Sequence, residues 1–317
     1  MSKCLICAKQ VETGKLYHST CLQELFDTKN APELEASLDQ LNELAKKSVT
    51  QRVTIPGVQS KLSLEIDRKT KGTDKLTIVG LWGRYILKPP SSTWNELPEN
   101  EHCTMLMAQA AGIETVPFGL IHLSSGEKAY ITKRIDRDKE GNKFAMEDMC
   151  QLTLRLTEDK YKGSHEQIAK VIKQHSANPF FDITRFYELV LFSFITGNGD
   201  MHLKNFSLFK DPKLGWKLAP AYDLLSTRLV IPESKDPEEL SLTIAGKKSH
   251  FGLNTFLSFG QSMGMNSKQI QNITDKLLSQ KKQFDAIIRQ SFLSDEMKNE
   301  YQNLLTKRMN VMSSGSK

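Results

Sequence analysis

No apolar run in this sequence is long enough to cross a bilayer. The longest, LVLFSFI at residues 189–195, has seven residues, where a spanning helix needs about 20. The opening MSKCLICAKQ has no extended apolar core, so neither a secretory signal nor a membrane anchor is expected. The expected location is cytoplasmic. Charge of one sign is also scarce. The 43 Lys and Arg against 37 Asp and Glu leave +6, too small an excess to define a nucleic-acid surface by itself. There is no internal repeat and no long low-complexity tract. Cysteines number only five, yet three of them, Cys4, Cys7 and Cys21, fall in the first 21 residues. In a reducing compartment that clustering points to metal ligation rather than disulfides.

The 317 residues suffice for two units, each with its own core. Leu34, Leu38, Leu41 and Leu44 predict an amphipathic helix over 31–48. Alternating Leu62, Leu64 and Ile66 predict a strand, followed by strands in KLTIVG, GRYILKP, TVPFGLIHL and KAYITKRI. One helix, NEHCTMLMAQAA, interrupts them and stops at Gly112. From about residue 146 helices dominate, including HEQIAKVIKQHS and DITRFYELVLFSFITG, with Gly197 as its stop. The expected fold is α+β: a Cys/His module at 1–24, a β-rich lobe at 25–145 and a helical lobe at 146–317.

Polar chemistry concentrates where that apolar helix ends, in GNGDMHLKNFSLF. Phosphoryl transfer needs a carboxylate to orient the attacking hydroxyl and oxygen ligands for Mg²⁺. Asp200 and Asn205 stand five residues apart, and Asp223 in PAYDLLS follows 18 residues later, after two short strands with KDPKLG between them. That is the Asp-x-x-x-x-Asn plus second Asp arrangement of protein kinases. Lys204 would offset phosphate charge, and His202 would hold the loop or meet phosphate.

Lys88 ends an apolar strand, as does the lysine that reaches nucleotide phosphates, and Glu101 is the candidate carboxylate to hold it. No glycine-rich loop precedes it. IPGVQSK (55–61), with its single Gly57, is the stretch placed to cover phosphates with backbone N–H groups. Backbone of the run ITKRIDR would bind an adenine edge. At the N-terminus, Cys4-x₂-Cys7-x₁₀-His18-x₂-Cys21 offers three thiolates and one imidazole at structural-zinc spacing; free thiols are the alternative.

GVQSKLSL, YILKP, NEH, ITKRIDRD, MEDMCQLT, GNGDMHLKNFSLF and LAPAYDLLST together resemble the HipA-like toxin kinases over residues 50–260. In its compactness the chain is most similar to HipT, the kinase of three-gene HipB–HipS–HipT systems. The resemblance implies a two-lobed protein-kinase-like fold that uses ATP and Mg²⁺ to phosphorylate protein Ser or Thr. It implies Asp200 as base and Asn205 and Asp223 as Mg²⁺ ligands. The nucleotide would be held by Pro56, Gly57, Val58, Gln59, Ser60 and Lys61, by Lys88, by Lys133, Arg134 and Ile135 at the hinge, and by His202, Lys204 and Tyr222. The implied substrate is an aminoacyl-tRNA synthetase, so that translation arrests. The implied partners are HipB- and HipS-like antitoxins, with DNA reached only through the HipB-like one. Autophosphorylation is implied at Thr54, with Ser60 and Ser63 as alternatives; Pro56 fills the second position used by relatives and cannot be phosphorylated. Competing readings are a small-molecule kinase of the aminoglycoside type and a non-catalytic kinase-fold binding protein.

Overall fold

The computed structural model describes residues 2–49, 60–68, 73–80, 82–138 and 140–313. Thr54, Pro56, Gly57, Val58 and Gln59 therefore lie outside the described residues. The chain forms two compact units. The first comprises 1–103, 116–143 and 290–293; the second comprises 104–115, 144–289 and 294–317.

Among the described residues, five strands build the first unit: β1 (Leu62–Asp67), β2 (Lys75–Val79), β3 (Tyr85–Lys88), β4 (Phe118–His122) and β5 (Lys128–Lys133). They form one antiparallel sheet in the order β2-β1-β3-β5-β4. Leu62, Leu64 and Ile66 bury one face of β1, as their period-two spacing dictates. Helix α1 (Ser19–Phe26) ends in a left-handed Asp27, and α2 (Leu38–Val49) follows.

The leucine spacing over 31–48 predicts a helix longer than the one that forms. Residue 33 is taken by the edge of β2 instead: its N–H donates to Asp74 O (2.9 Å) and its carbonyl accepts from Leu76 N (2.8 Å). Leu34 is consequently buried outside the helix. Ser37 and Gln40 then exchange side chain-to-backbone bonds of 3.3 and 2.9 Å, a capping box that starts α2 at Leu38.

In the second unit a small sheet, β6-β7-β8 (Met146–Asp148, Ser207–Asp211, Gly215–Leu218), packs among helices. Those after α3 (Leu97–Ala110) are α4 (Met149–Leu152), α5 (His165–His175), α6 (Pro179–Thr196), α7 (Leu253–Ser262), α8 (Ser267–Ser279), α9 (Lys281–Gln290) and α10 (Asp295–Ser313). The strand β8 is shorter than WKLAPAYD suggests, ending two residues before Pro220, which has no N–H for a ladder. Helix α6 is the core of this unit. Asn178 caps it, Pro179 opens it, and nearly every side chain from Phe186 to Thr196 is buried. Among the described residues no helix is long and apolar enough to cross a membrane.

His165, at the start of α5, is buried between the rings of Phe186, Phe206 and Phe259, with centroids 6.0, 5.9 and 6.0 Å away. Neither ring nitrogen has a hydrogen-bond partner among the described residues. Burial pushes its pKa down to about 3, against about 6.5 in an unfolded chain. The unfolded state therefore takes the proton first, and the stability linked to neutral His165 is complete above about pH 6.5 and is lost as pH falls toward 3. Denaturant unfolding between pH 6 and 4 should lose stability less steeply in His165→Phe, by about 1.4 kcal/mol per pH unit at most. An unchanged slope in the variant would refute this assignment.

Candidate active site

The loop that follows α6 is built from its helix end outward. Gly197 takes φ +70°, a conformation that costs glycine nothing. Its N–H donates to Phe194 O (3.2 Å) and Asn198 N–H to Ser193 O (2.8 Å), which closes the helix and turns the chain sharply. Thr227 Oγ accepts from Gly199 N at 2.9 Å, and Asn198 Oδ1 accepts from Asp200 N at 3.2 Å.

Asp200 is then fixed by its backbone. Its carbonyl accepts from His202 N (2.8 Å) and from Asn205 Nδ2 (2.9 Å), while Asn205 N donates to His202 O (2.9 Å). That bond uses one N–H of the Asn205 amide and sets which end is nitrogen; Oδ1 is the atom that a hard cation would take. His202 is buried, and burial lowers its pKa against the opposing pull of the Asp200 and Asp223 carboxylates. Tyr161 meets this imidazole edge-on at 5.1 Å and donates its hydroxyl to Asp200 Oδ1 at 2.8 Å. Lys204 Nζ pairs at 2.7 Å with Asp148, whose other oxygen caps α4.

The β7–β8 hairpin returns the chain to this loop. Tyr222 hydroxyl lies 3.0 Å from Lys204 O, to which it donates, and 2.6 Å from Ser207 Oγ. Asp223 comes next, at φ +62°, the left-handed region that Asp tolerates better than most side chains.

In the first unit, Lys88 Nζ lies 2.6 and 2.7 Å from the two oxygens of Glu101. Both residues are almost fully buried, 3% and 1% exposed. The strand end supplies the ammonium, and α3 supplies the carboxylate from its second turn. At the end of β5, Lys133 pairs with Asp27 at 2.7 Å. Its N–H donates to Pro117 O and that of Arg134 to Arg84 O, at 2.9 and 2.8 Å. Arg134 also pairs with Asp136 at 2.8 Å, and Ile135 is half-buried. Ser60 is half-buried and Lys61 exposed. Ser63 Oγ is occupied inside the sheet, accepting from Gly83 N at 3.0 Å.

Cys4, Cys7, His18 and Cys21 converge, with their ligand atoms all within 4.8 Å of one another. Bonds of about 2.3 Å in a tetrahedron would set sulfurs about 3.8 Å apart, and His18 Nδ1 is 3.4 Å from Cys7 Sγ and 3.8 Å from Cys21 Sγ. The other ring nitrogen, Nε2, is 2.8 Å from Gln10 O. Donation there places the N–H on Nε2 and turns the Nδ1 lone pair toward the thiols, the usual support of a metal-binding histidine. The donor set fits a zinc ion. The module caps β4 through Leu120 N–H to Leu5 O (2.8 Å) and Tyr17 hydroxyl to Leu120 O (3.2 Å). A side chain at Gly119 would meet Ile6 at 2.8 Å, so only glycine permits this approach.

Sequence reasoning did not find Tyr161 or Asp148. Their contacts span 39 and 56 positions; Tyr161 lies in no motif, and Asp148 lies in MEDMCQLT, a segment whose resemblance holds only as a whole and singles out no residue.

An α+β protein with this loop, hairpin and buried lysine–glutamate pair has a protein-kinase-like fold. Residues 53–284 match the model of the HipA-like C-terminal domain, and the chain belongs to that family. A protein of Haemophilus influenzae named a putative kinase is 29% identical over 92% of this chain and 92% of its own length. The serine/threonine-protein kinase toxin HipA of Shewanella oneidensis is 26% identical over 55% of this chain, and the match covers 43% of that protein. The solved HipA in complex with HipB and operator DNA, from the same organism, superposes with a TM-score of 0.68 at 22% identity, covering 83% of this chain and 66% of that one.

Removing Glu101 would take from the buried Lys88 ammonium the carboxylate that it bonds at 2.6 and 2.7 Å. Glu101→Ala should cost about 3–5 kcal/mol in denaturant unfolding. Lys88→Met combined with Glu101→Leu should recover most of that loss. Equal stability of Glu101→Ala and the wild type would show that the pair carries no such weight.

Proposed function

We propose that the chain is an ATP- and Mg²⁺-dependent kinase that phosphorylates Ser or Thr on a protein. The observation that carries the reading is the Asp200 loop, where the Asn205 amide ties down the Asp200 backbone and the hairpin leads back to Asp223. In this reading Asp200 orients the acceptor hydroxyl and takes its proton, while Asn205 and Asp223 hold the metal. Bound Mg²⁺ would neutralise charge on the transferring phosphate. Lys88, oriented by Glu101, contacts phosphate. Lys204 and Tyr222 support the loop, in addition to any contact with nucleotide. With the N–H groups of Lys133 and Arg134 already spent, an adenine edge would use the Ile135 N–H or carbonyl oxygens of 133–135. Residues 56–61 would cover the phosphates.

The kinase-named relatives support a role like theirs. The HipA toxin and its HipB complex support a toxin role with a HipB-like antitoxin; the HipT type, a HipS-like antitoxin and a synthetase substrate rest on the motif resemblance alone. Self-phosphorylation would fall on Thr54 or Ser60; Ser63 is a poor acceptor because its hydroxyl is occupied in the sheet. The expected experiment is direct. Asp200→Gln should abolish transfer from labelled ATP and growth arrest while nucleotide still binds. Transfer at the wild-type rate by this variant would end the kinase assignment of the loop.

The Cys/His module is assigned a structural Zn²⁺. Protein purified without chelator should carry about one zinc per chain, and Cys4→Ser with Cys7→Ser should carry none and unfold more easily at its N-terminus. Metal-free wild-type protein, measured by elemental analysis, would remove the zinc assignment without touching the kinase reading.

A further inference from the structure

Asp200 is held unevenly. Its backbone is pinned on both sides, N–H to Asn198 Oδ1 at 3.2 Å and carbonyl to Asn205 Nδ2 at 2.9 Å. Its side chain has one hydrogen-bond partner among the described residues, the Tyr161 hydroxyl at 2.8 Å on Oδ1. Without that bond the carboxylate could rotate about χ1 and χ2. A base that rotates spends most of its time pointing away from the acceptor, and small misplacements of reacting groups are costly.

Tyr161 is 42% exposed, yet contacts hold both its ring and the backbone beside it. Its ring stands edge-on to His202 at 5.1 Å, and the Lys160 ammonium lies 4.9 Å over its face. The preceding residue is bonded to the catalytic loop, Leu203 N–H to Lys160 O at 3.1 Å. Burial and the neighbouring Asp200 charge both raise the phenol's pKa, so it remains a donor. A hydroxyl that donates to a carboxylate makes one of the stronger neutral-to-charged bonds.

We propose that Tyr161 is a positioning residue that locks the Asp200 carboxylate by one oxygen and leaves Oδ2 to accept the hydrogen bond, and then the proton, of the acceptor hydroxyl. The phenol keeps its proton throughout. The proposal rests on the kinase reading above and adds to it a residue outside the Asp-x-x-x-x-Asn motif.

The test is a double-substitution cycle on the full chain, with labelled ATP as probe and both self-labelling and phosphate release measured. Tyr161→Phe removes one oxygen and keeps the ring. It should lower kcat about tenfold or more and leave the KM for ATP within about twofold, because the residue touches the base and not the nucleotide. The residual transfer of an Asp200→Asn background, followed over long incubation with excess enzyme, should fall little further on the same change, since it acts through the Asp200 carboxylate. Additive losses in the cycle would mean that Tyr161 supports the loop structurally and would overturn the proposal. A faster Tyr161→Phe enzyme would also overturn it, by showing that the phenol competes with the acceptor for the base. If Asp200→Asn is inactive while Tyr161→Phe equals wild type, only this inference fails. If the wild-type chain turns over no ATP, or Asp200→Asn keeps the wild-type rate, the underlying kinase reading fails as well.

Discussion

One side-chain amide holds the candidate site together. The Asn205 amide N–H bonds the Asp200 carbonyl across five residues, and that bond forces the intervening chain into a single compact turn. The turn buries Met201 and Leu203 under the loop and keeps Asp200 half-exposed. A longer side chain would push the two backbones apart, and a shorter one would not reach. The bond also settles which end of the amide is left for other work. Helix α6 serves this turn: its buried, largely apolar last three turns anchor the helix end from which the polar groups past Gly197 start.

Much of this was legible because it is local. The helix stop at Gly197, the five-residue spacing of Asp200 and Asn205, and the hairpin leading to Asp223 are all short-range signals. So were the α+β class and the period-two face of β1. Residues 31–37 misled because leucine spacing cannot show that a neighbouring strand edge will claim the backbone of Glu33. Tyr161 was invisible for a related reason. It sits in EDKYKGS, a polar stretch with no period, and matters only through the residue it reaches 39 positions away. Asp148 both caps α4 and pairs with Lys204, 56 positions away, and that pairing appears only in three dimensions.

One buried site in each unit handles charge differently. In the first, Lys88 and Glu101 are both buried and neutralise each other at contact distance, an arrangement that gives orientation at the expense of desolvation. In the second, His165 avoids charge altogether by staying neutral among three phenylalanines. The first strategy depends on keeping both partners; the second depends on pH.

The Cys/His cluster differs from both in the span of chain it needs. Its four side chains lie within 18 consecutive residues, 4 to 21, whereas β4, the strand it caps, begins at Phe118. A chain leaves the ribosome from its N-terminus at about 5–20 residues per second. All four donors thus emerge several seconds before the sheet edge that they will cover. The residues of the cap precede the edge in synthesis, so Leu5 and Tyr17 are already present when Leu120 emerges, and the outer strand need not wait for later chain to cover its backbone.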